Sequence, residues 1–549
     1  MPSTSVASPA RHIAAYRLDV RKGQPRSWWW RHRLPLVAVA AVVPLYVVWA
    51  VFLATGGGDL AAQDAWAQFA ARYPGSAYNL SWYGGTHVAN YSVLSPYLMG
   101  LCGVRAVTVA AGLGATWGSA ALFARTAISR PLWPALLAAL AVWCNVASGR
   151  TTFALGTAFG VAACLLVTGK ALRTAGAALC GVLATLASPV AGLFLLVAGA
   201  GLLLTREIRR AAALLLPPVV VVGLTAALFP FSGEQPMAFG RIWPPFLLAA
   251  VVAVWAPKEW RAVRRGAVVY AVGVVATYCV TSPIGDNVER LAGLFAPALL
   301  LACLLAPGRE RTRTRFVTLG VALALSVVWL GEKTVDDLTI STRVPAWAAH
   351  TGGVVAELRH LGADRTRVEV VPARDHREAT LFARDFTLAR GWNRQLDMDR
   401  NPLFYGGTLS PAGYRAWLHD QAVGYVVLHN GTLDDHAVRE GALLDTAPAG
   451  LEPVWADANW RVFRVMDATP VVSGGGSVVH ASPAHLTVRV PAPGTVTLRV
   501  AYSPWLRVGG GGCLAKAGTW TRLTVPRAGT YDIGTGYRLP RRQACKATS

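Results

Sequence analysis

Two carboxylates, Asp59 and Asp64, stand five residues apart in the stretch "TGGGDLAAQDAW", directly after the first long apolar run of the chain. Carboxylates are the side chains that can take up a proton at neutral pH when one is offered within hydrogen-bond reach. The same pair has a plain structural reading: Asp59 as an N-cap following the glycines, favoured by the helix dipole, and Asp64 as a solvated residue one turn on. The loop then runs through "YPGSAYNLSWYGGTHVANYSVLSPYL", which is rich in aromatic and hydrogen-bonding side chains and poor in charge. Trp82, Tyr83, His87, Asn90 and Tyr91 are of the types that line sugar pockets, where flat apolar faces meet polar edges. For His87 alone, a hydrogen-bonded loop histidine is the competing reading. A second group, Asp286, Glu289 and Arg290 in "SPIGDNVERLAGLF", opens an apolar helix. Ionisable groups at membrane depth point to function, and a local ion pair is the competing reading.

The elements that must position these residues follow from composition. Of 549 residues, 54% are hydrophobic and 15% charged, well below the roughly one-quarter charged of a soluble protein. The chain reads as a polytopic α-helical membrane protein. Apolar runs near 34–54, 104–124, 132–149, 151–169, 174–188, 190–204, 211–229, 242–256, 266–282, 291–306 and 316–331 give about eleven spans of a hydrocarbon core about 30 Å thick. Ser188-Pro189 divides one long run into a tight helical hairpin.

The formal net charge of +23 does not require nucleic acid, because most Lys and Arg lie in short clusters between the runs. The clusters at 11–33, Arg125/Arg130, Lys170/Arg173, Arg206–Arg210, "PKEWRAVRR" and "PGRERTRTR" all fall on one side, as cytoplasmic loops do. Trp28, Trp29 and Trp30 suit an interfacial belt. The 55–92 loop, with Arg72 as its one basic residue, then lies outside. An odd number of spans places the C-terminal portion outside too.

Four regions result: a basic cytoplasmic tail at 1–33, a helical bundle at 34–331 with first outside loop 55–92, an extracytoplasmic α/β domain at 332–467, and a small β-sandwich at 468–549. Strand-like runs alternate with helical stretches in the third region, and short alternating strands with Gly and Pro turns fill the fourth. Six cysteines lie in or beside spans, whereas Cys513 and Cys545 are alone in the tail. They are a candidate disulfide in an oxidising compartment. No Cys or His spacing matches a structural zinc site. "VSGGGS" and "VGGGGC" lack the context and Lys of a phosphate loop and read as turns. "ARGWNRQLDMDRNPLFYGG", residues 389–407, combines aromatics with Arg and Asp and is either a surface loop or a segment closing over a site.

In architecture the chain resembles the GT-C superfamily of integral-membrane glycosyltransferases: many spans, a long first outside loop with an Asp soon after the first span, and a soluble outside C-terminal portion. It also resembles an uncharacterised actinobacterial membrane-protein group carrying "DLAAQDAWAQFA", "WYGGTHVANYSVLSPYL", "ASGRTTFALG", "ARGWNRQLD" and "NPLFYGG". The superfamily resemblance implies transfer of a sugar from a polyprenyl-phosphate lipid to a cell-envelope glycan acceptor on the outer face of the membrane. It implies that Asp59, with Asp64 in reserve, acts at the reaction centre. It also implies that Arg290, ahead of Arg241 or Arg150, faces the donor phosphate. A divalent cation bridging phosphate and Asp59 is compatible with that chemistry and not required by the sequence. A multi-span transporter or flippase of an envelope precursor is the alternative, favoured only by the Ser188-Pro189 break and by Pro217 and Pro218.

Overall fold

The computed structural model describes residues 28–169, 171–307, 312–446, 448–539 and 545. The basic tail up to residue 27, the side chains of Trp28, Trp29 and Trp30, and the cations Lys170, Arg309 and Arg311 lie outside the described residues.

The N-terminal part is helical: α1 (Trp28–Val48, continued by a π-turn over Trp49–Leu53), α2 (Asp59–Arg72), α3 (Ser95–Cys102), α4 (Val104–Phe123), α5 (Leu132–Ala147), α6 (Thr151–Leu166), α7 (Ala171–Ala187), α8 (Pro189–Leu204), α9 (Ile208–Leu228), α10 (Trp243–Trp255), α11 (Arg261–Cys279), α12 (Glu289–Leu305) and α13 (Arg313–Ser341). Among the described residues six helices are long and apolar enough to cross a membrane, and five further apolar helices are shorter. Several turn apolar side chains outward, such as Leu216, Val219, Val220 and Leu224 on α9 and Phe316, Val321, Leu325 and Val328 on α13. A face of this kind suits hydrocarbon and would be a liability in water.

The α7–α8 corner forms where proline cannot continue the helix. Ser188 adopts extended backbone (φ −157°, ψ 116°) and Pro189 takes the first position of α8. Helix α13 extends past the apolar run at 316–331. It runs 29 residues, about 43 Å, and so carries Lys333 and Asp337 beyond the point where the apolar run stops. The apolar run stops near residue 332, while the helix itself continues, and no proline occurs before Pro345.

The β-rich remainder has two parts. The first loop contributes a hairpin, β1 (Tyr78–Asn79) and β2 (Thr86–His87). A five-stranded sheet is then built from β3 (Arg367–Val370), β4 (Thr387–Leu388), β5 (Val423–His429), β6 (Leu451–Ala456) and β7 (Trp460–Val465) in the order β4-β3-β5-β7-β6. Strand β3 runs parallel to β4 and β5, and β7 runs antiparallel to β5 and β6. Beyond it, eight strands from Val472–Ser473 to Gly529–Thr535 make two four-stranded antiparallel sheets around Val488, Leu498, Leu523 and Ile533. Cys513 and Cys545 are bonded there, with Cα atoms 5.5 Å apart.

The 55–92 loop does not stand by itself beside the bundle. Trp66, Phe69, Trp82 and Tyr83 share one core with Phe382, Phe386 and Trp460 of the α/β part. The Leu388 amide donates to the Ser81 carbonyl (2.7 Å), and the Tyr78 hydroxyl donates to the Ala501 carbonyl (2.8 Å). The sandwich in turn rests on the end of α9, where Trp505 stacks on Phe229 and its indole N–H donates to the Leu228 carbonyl (2.8 Å). Burying these aromatic rings ties the β-rich parts to the helix ends.

Candidate functional site

Helix α2 begins at Asp59, with Gly58 as its N-cap at φ 64°. A side chain would be strained at that φ, so the cap falls to glycine and the carboxylate is left at the first helical position. Asp59 is thus not the cap of the plain reading. On a 3.6-residue period Asp59 and Gln63 share a face, whereas Asp64 is rotated from Asp59 by about 140°. Asp64 faces Arg105 and Arg377, and its burial outweighs their influence, pushing its carboxyl up to about 6.

Asp59 and Gln63 line a cavity of about 590 Å³ between the helix ends and the α/β part, a size usual for ligand sites. Its walls are supplied by Asn90 and Tyr91, by Asn145 in the last turn of α5 and Ser148 and Arg150 after it, by the end of α9, by Arg241, by Asp286, Asn287, Glu289 and Arg290 at the start of α12, and by Trp329 and Lys333 of α13. Trp392, Asn393, Arg394 and Gln395 form the roof. The roof is fastened to the bundle: Gln395 Nε2 donates to Gln235 Oε1 (3.1 Å) and to the Pro283 carbonyl (3.3 Å). Residues 392–395 of the 389–407 stretch therefore cover the cavity.

The ionic groups fall into two sets. Asp59 Oδ2 is 3.8 Å from Arg150 Nε and 3.9 Å from Arg290 Nη2, while Arg150 Nη2 donates to Asp337 Oδ2 at 3.0 Å. The Arg290 guanidinium also lies 5.3 Å over the Phe153 ring. In the second set Arg241 Nη1 is 3.0 Å from Asp286 and 3.9 Å from Glu289, and Lys333 pairs with Glu289. Tyr91 is aligned by Gln63, whose Nε2 donates to its hydroxyl and whose Oε1 accepts from Thr151 Oγ1 (3.0 Å). Asn90 Oδ1, Arg150 Nε and Asp286 Oδ1 are buried without a hydrogen-bond partner. Three such atoms on one cavity are polar capacity left for a ligand.

Of the residues singled out from sequence, Asp59, Arg290, Arg241, Asn90 and Tyr91 come together here. Trp82, Tyr83 and His87 do not, and their assignment to a sugar pocket is corrected. Trp82 donates to the Ala379 carbonyl (3.2 Å) and Tyr83 to the Gly391 carbonyl (2.8 Å). His87 Nδ1 is 3.2 Å from the Ala77 carbonyl, its Nε2 is 3.0 Å from Ser503 Oγ, and its ring packs against Tyr78 and Phe229. Their polar ends are needed to satisfy backbone between the parts, which removes them from solvent. Sequence reasoning missed Lys333 and Asp337. The signal was available as helical register, since Leu330, Lys333, Thr334 and Asp337 recur every three or four residues past the apolar run.

Burial lowers His87 to about 4, against 6.5 in an ordinary environment. Between those pH values the unfolded chain binds a proton that the native chain refuses, so this group makes stability fall as pH drops from 6.5 towards 4. His87→Gln is expected to flatten that part of the thermal-midpoint profile. An unchanged slope would show that His87 protonates in the native protein.

The residues present do not fit a divalent cation. Among the described residues no group of three or more His, Cys, Asp or Glu is placed to hold a metal, and the carboxylate at the centre faces two guanidiniums.

The family described as a domain of unknown function (DUF8823) matches residues 473–549, the sandwich. No curated protein matches the chain. Two solved structures of the arabinofuranosyltransferase AftD from Mycobacteria are similar to it, one at 16% identity and a TM-score of 0.43, the other, a mutant, at 13% and 0.42. The matches cover 86% and 92% of this chain and 42% and 60% of those chains, so it spans less than two thirds of either.

Proposed function

We propose that the chain is a membrane glycosyltransferase that moves a sugar from a polyprenyl-phosphate lipid to a cell-envelope glycan acceptor. In this reading all eleven apolar helices cross the membrane, the N-terminus is cytoplasmic, and the cavity and β-rich part lie on the outer face. The observation that carries it is the meeting of Asp59 and Arg290 in one cavity, 3.9 Å apart, at the level where the apolar helices end. The cavity reaches α9 through Val222, Thr225, Ala226 and Phe229, beside the outward apolar face that suits a lipid tail. The roof of Trp392, Asn393, Arg394 and Gln395 suits the polar acceptor.

The chemistry needs little else. An acceptor hydroxyl attacks the anomeric carbon and forms the new C–O bond, while its proton passes to the Asp59 carboxylate. The bond from that carbon to the lipid phosphate breaks and its electron pair leaves with the phosphate. Arg290 offsets the charge that grows there, in surroundings where a fixed cation acts more strongly than in water. Arg150, held by Asp337, keeps a second guanidinium beside Asp59. Before donor enters, Arg290 leans on Asp59, and an incoming phosphate would draw it away and leave the carboxylate free to act.

The test is release of polyprenyl phosphate from radiolabelled polyprenyl-phosphate sugars by the purified protein, with an envelope extract as acceptor. No release from any donor by well-folded protein would overturn the proposal and make transport the reading to pursue. Given release, Arg290→Ala is expected to raise the donor KM about 10-fold or more, the worth of a hydrogen bond to a charged group, with the acceptor KM little changed. Equal effects on both substrates would remove Arg290 from the donor phosphate.

A further inference from the structure

The turn that delivers Asp59 cannot hold its own path. Residues 56–58 are three consecutive glycines, with φ 91° at Gly56 and 64° at Gly58, and glycine carries the largest backbone entropy. Something outside the turn must define where the carboxylate stands.

The Thr55 hydroxyl stands 2.9 Å from both the Ser341 and the Thr342 carbonyls, and one side chain of the α/β part ties that contact to the sheet. The Arg377 side chain, 6% exposed, follows β3, and its Nε donates to Asp375 Oδ2 at 2.8 Å. Its Nη1 donates to the Thr55 carbonyl. Its Nη2 stands 2.8 Å from Thr55 Oγ1, 2.6 Å from the Ser341 carbonyl and 3.3 Å from the Arg343 carbonyl. The neighbouring Asp375 carbonyl accepts from the Gly58 amide at 2.7 Å. Gly57 is pressed against the guanidinium, since a Cβ there would stand 2.8 Å from Arg377 Nη2 and 2.7 Å from the Ser341 oxygen. The fork thus joins the exit of α1, the end of α13 and the α/β part.

This junction has a bearing on the cavity. Asp59 follows the clamped turn by one residue, and Asp337 lies one helical turn before Ser341, the other clamped position. Both carboxylates flanking Arg150 are therefore referred to one buried cation. A guanidinium is costly to bury, and an apolar side chain would fill the space as well. What a planar fork adds is simultaneous direction to two backbone segments.

The geometry points to Arg377 as a positioning residue that fixes Asp59 relative to Arg150 and Asp337. The inference rests on the transferase reading for its effect on turnover, but the clamp itself can be read without activity. The experiment uses the full chain in lipid nanodiscs, with wild type, Arg377→Ala, Arg377→Lys and, as control, Arg359→Ala, which breaks an exposed ion pair with Asp385. Donor kcat and KM are measured together with amide hydrogen exchange. Arg377→Ala is expected to lower kcat about 100-fold through misplacement of the reacting group, to leave donor KM within about twofold on the same argument, and to speed exchange at 55–61 and 338–343 while the sheet stays protected. Arg377→Lys, a point charge without the fork, is expected to recover part of the kcat.

Exchange unchanged at the turn, or faster throughout the α/β part, would overturn the inference, as would kcat no lower than that of Arg359→Ala in an active enzyme. If wild type transfers nothing, the transferase reading fails by itself and the exchange results still decide the clamp. If Arg377→Ala does not fold, Asp375→Asn, which takes away the charge that aims the guanidinium and leaves the Thr55 hydroxyl at the Ser341 and Thr342 carbonyls, is expected to cost about 10-fold in kcat, and unaltered turnover would overturn the inference.

Discussion

Asp59→Asn is expected to lower turnover about 1000-fold, within the range a positioned general base contributes, while leaving the protein folded. The substitution keeps shape and removes only the capacity to take the acceptor proton. Its structural cost is small for three reasons. The Asp59 side chain is 37% exposed, and its contacts with Arg150 and Arg290 are long, at 3.8 and 3.9 Å. Arg150 keeps its closer partner Asp337. The first turn of α2 loses a favourable charge worth no more than about 1 kcal/mol. Turnover and the thermal midpoint should be read on the same preparation. Full activity in a folded Asp59→Asn protein would falsify its role as base, and the placement of Asp64 on another face of α2 means that Asp64 could not simply replace it.

Arg390→Ala is expected to destabilise the α/β part by about 3–5 kcal/mol, the usual consequence of removing one partner from a buried ion pair. Arg390 is 4% exposed, and Glu369 and Glu440 are fully buried. Its Nε and Nη2 donate to Glu369 Oε1 at 2.8 and 2.6 Å, and Nη2 also pairs with Glu440. The Tyr414 hydroxyl donates to Glu440 at 2.7 Å, and the guanidinium lies 3.8 Å over the Phe404 ring. Burial, opposed by Arg390 and reinforced by Glu440, pushes the Glu369 carboxyl upward. Without the guanidinium two carboxylates would share a dry site, and at least one would be forced to take a proton. Residues 392–395, which roof the cavity, follow Arg390 directly, so a local loosening should also weaken acceptor use. Chemical denaturation checks the first expectation; a loss below about 1 kcal/mol would show that the cluster is better hydrated than its burial implies.

The helical bundle was legible because its information is local. A run of about 20 apolar residues reads as a span wherever it occurs, and Ser188-Pro189 marks its corner by covalent chemistry alone. Strand alternation made the β-rich region equally visible. The end of α13 was not legible because hydropathy reports the surroundings of a helix, whereas its length depends on what would break it.

For the site, the residue types were visible and their partners were not. Asp59 and Arg290 could be singled out because charge is rare beside apolar runs, and an acidic group there has few bland uses. Trp82, Tyr83 and His87 have the composition of a sugar pocket and also that of a core between packed parts, and only the burial of their polar ends against Ala379, Gly391 and Ala77 separates the two. The sequence by itself determined the elements and the shortlist of charged residues, since these depend on neighbours in the chain. The tertiary structure decided which of them meet: Arg150 between Asp59 and Asp337, Arg394 in the roof, and Arg377 on the Asp59 turn 322 residues from the Thr55 that it holds. Those meetings follow from how helix ends and sheet loops pack across long sequence separations, where local periodicity carries no signal.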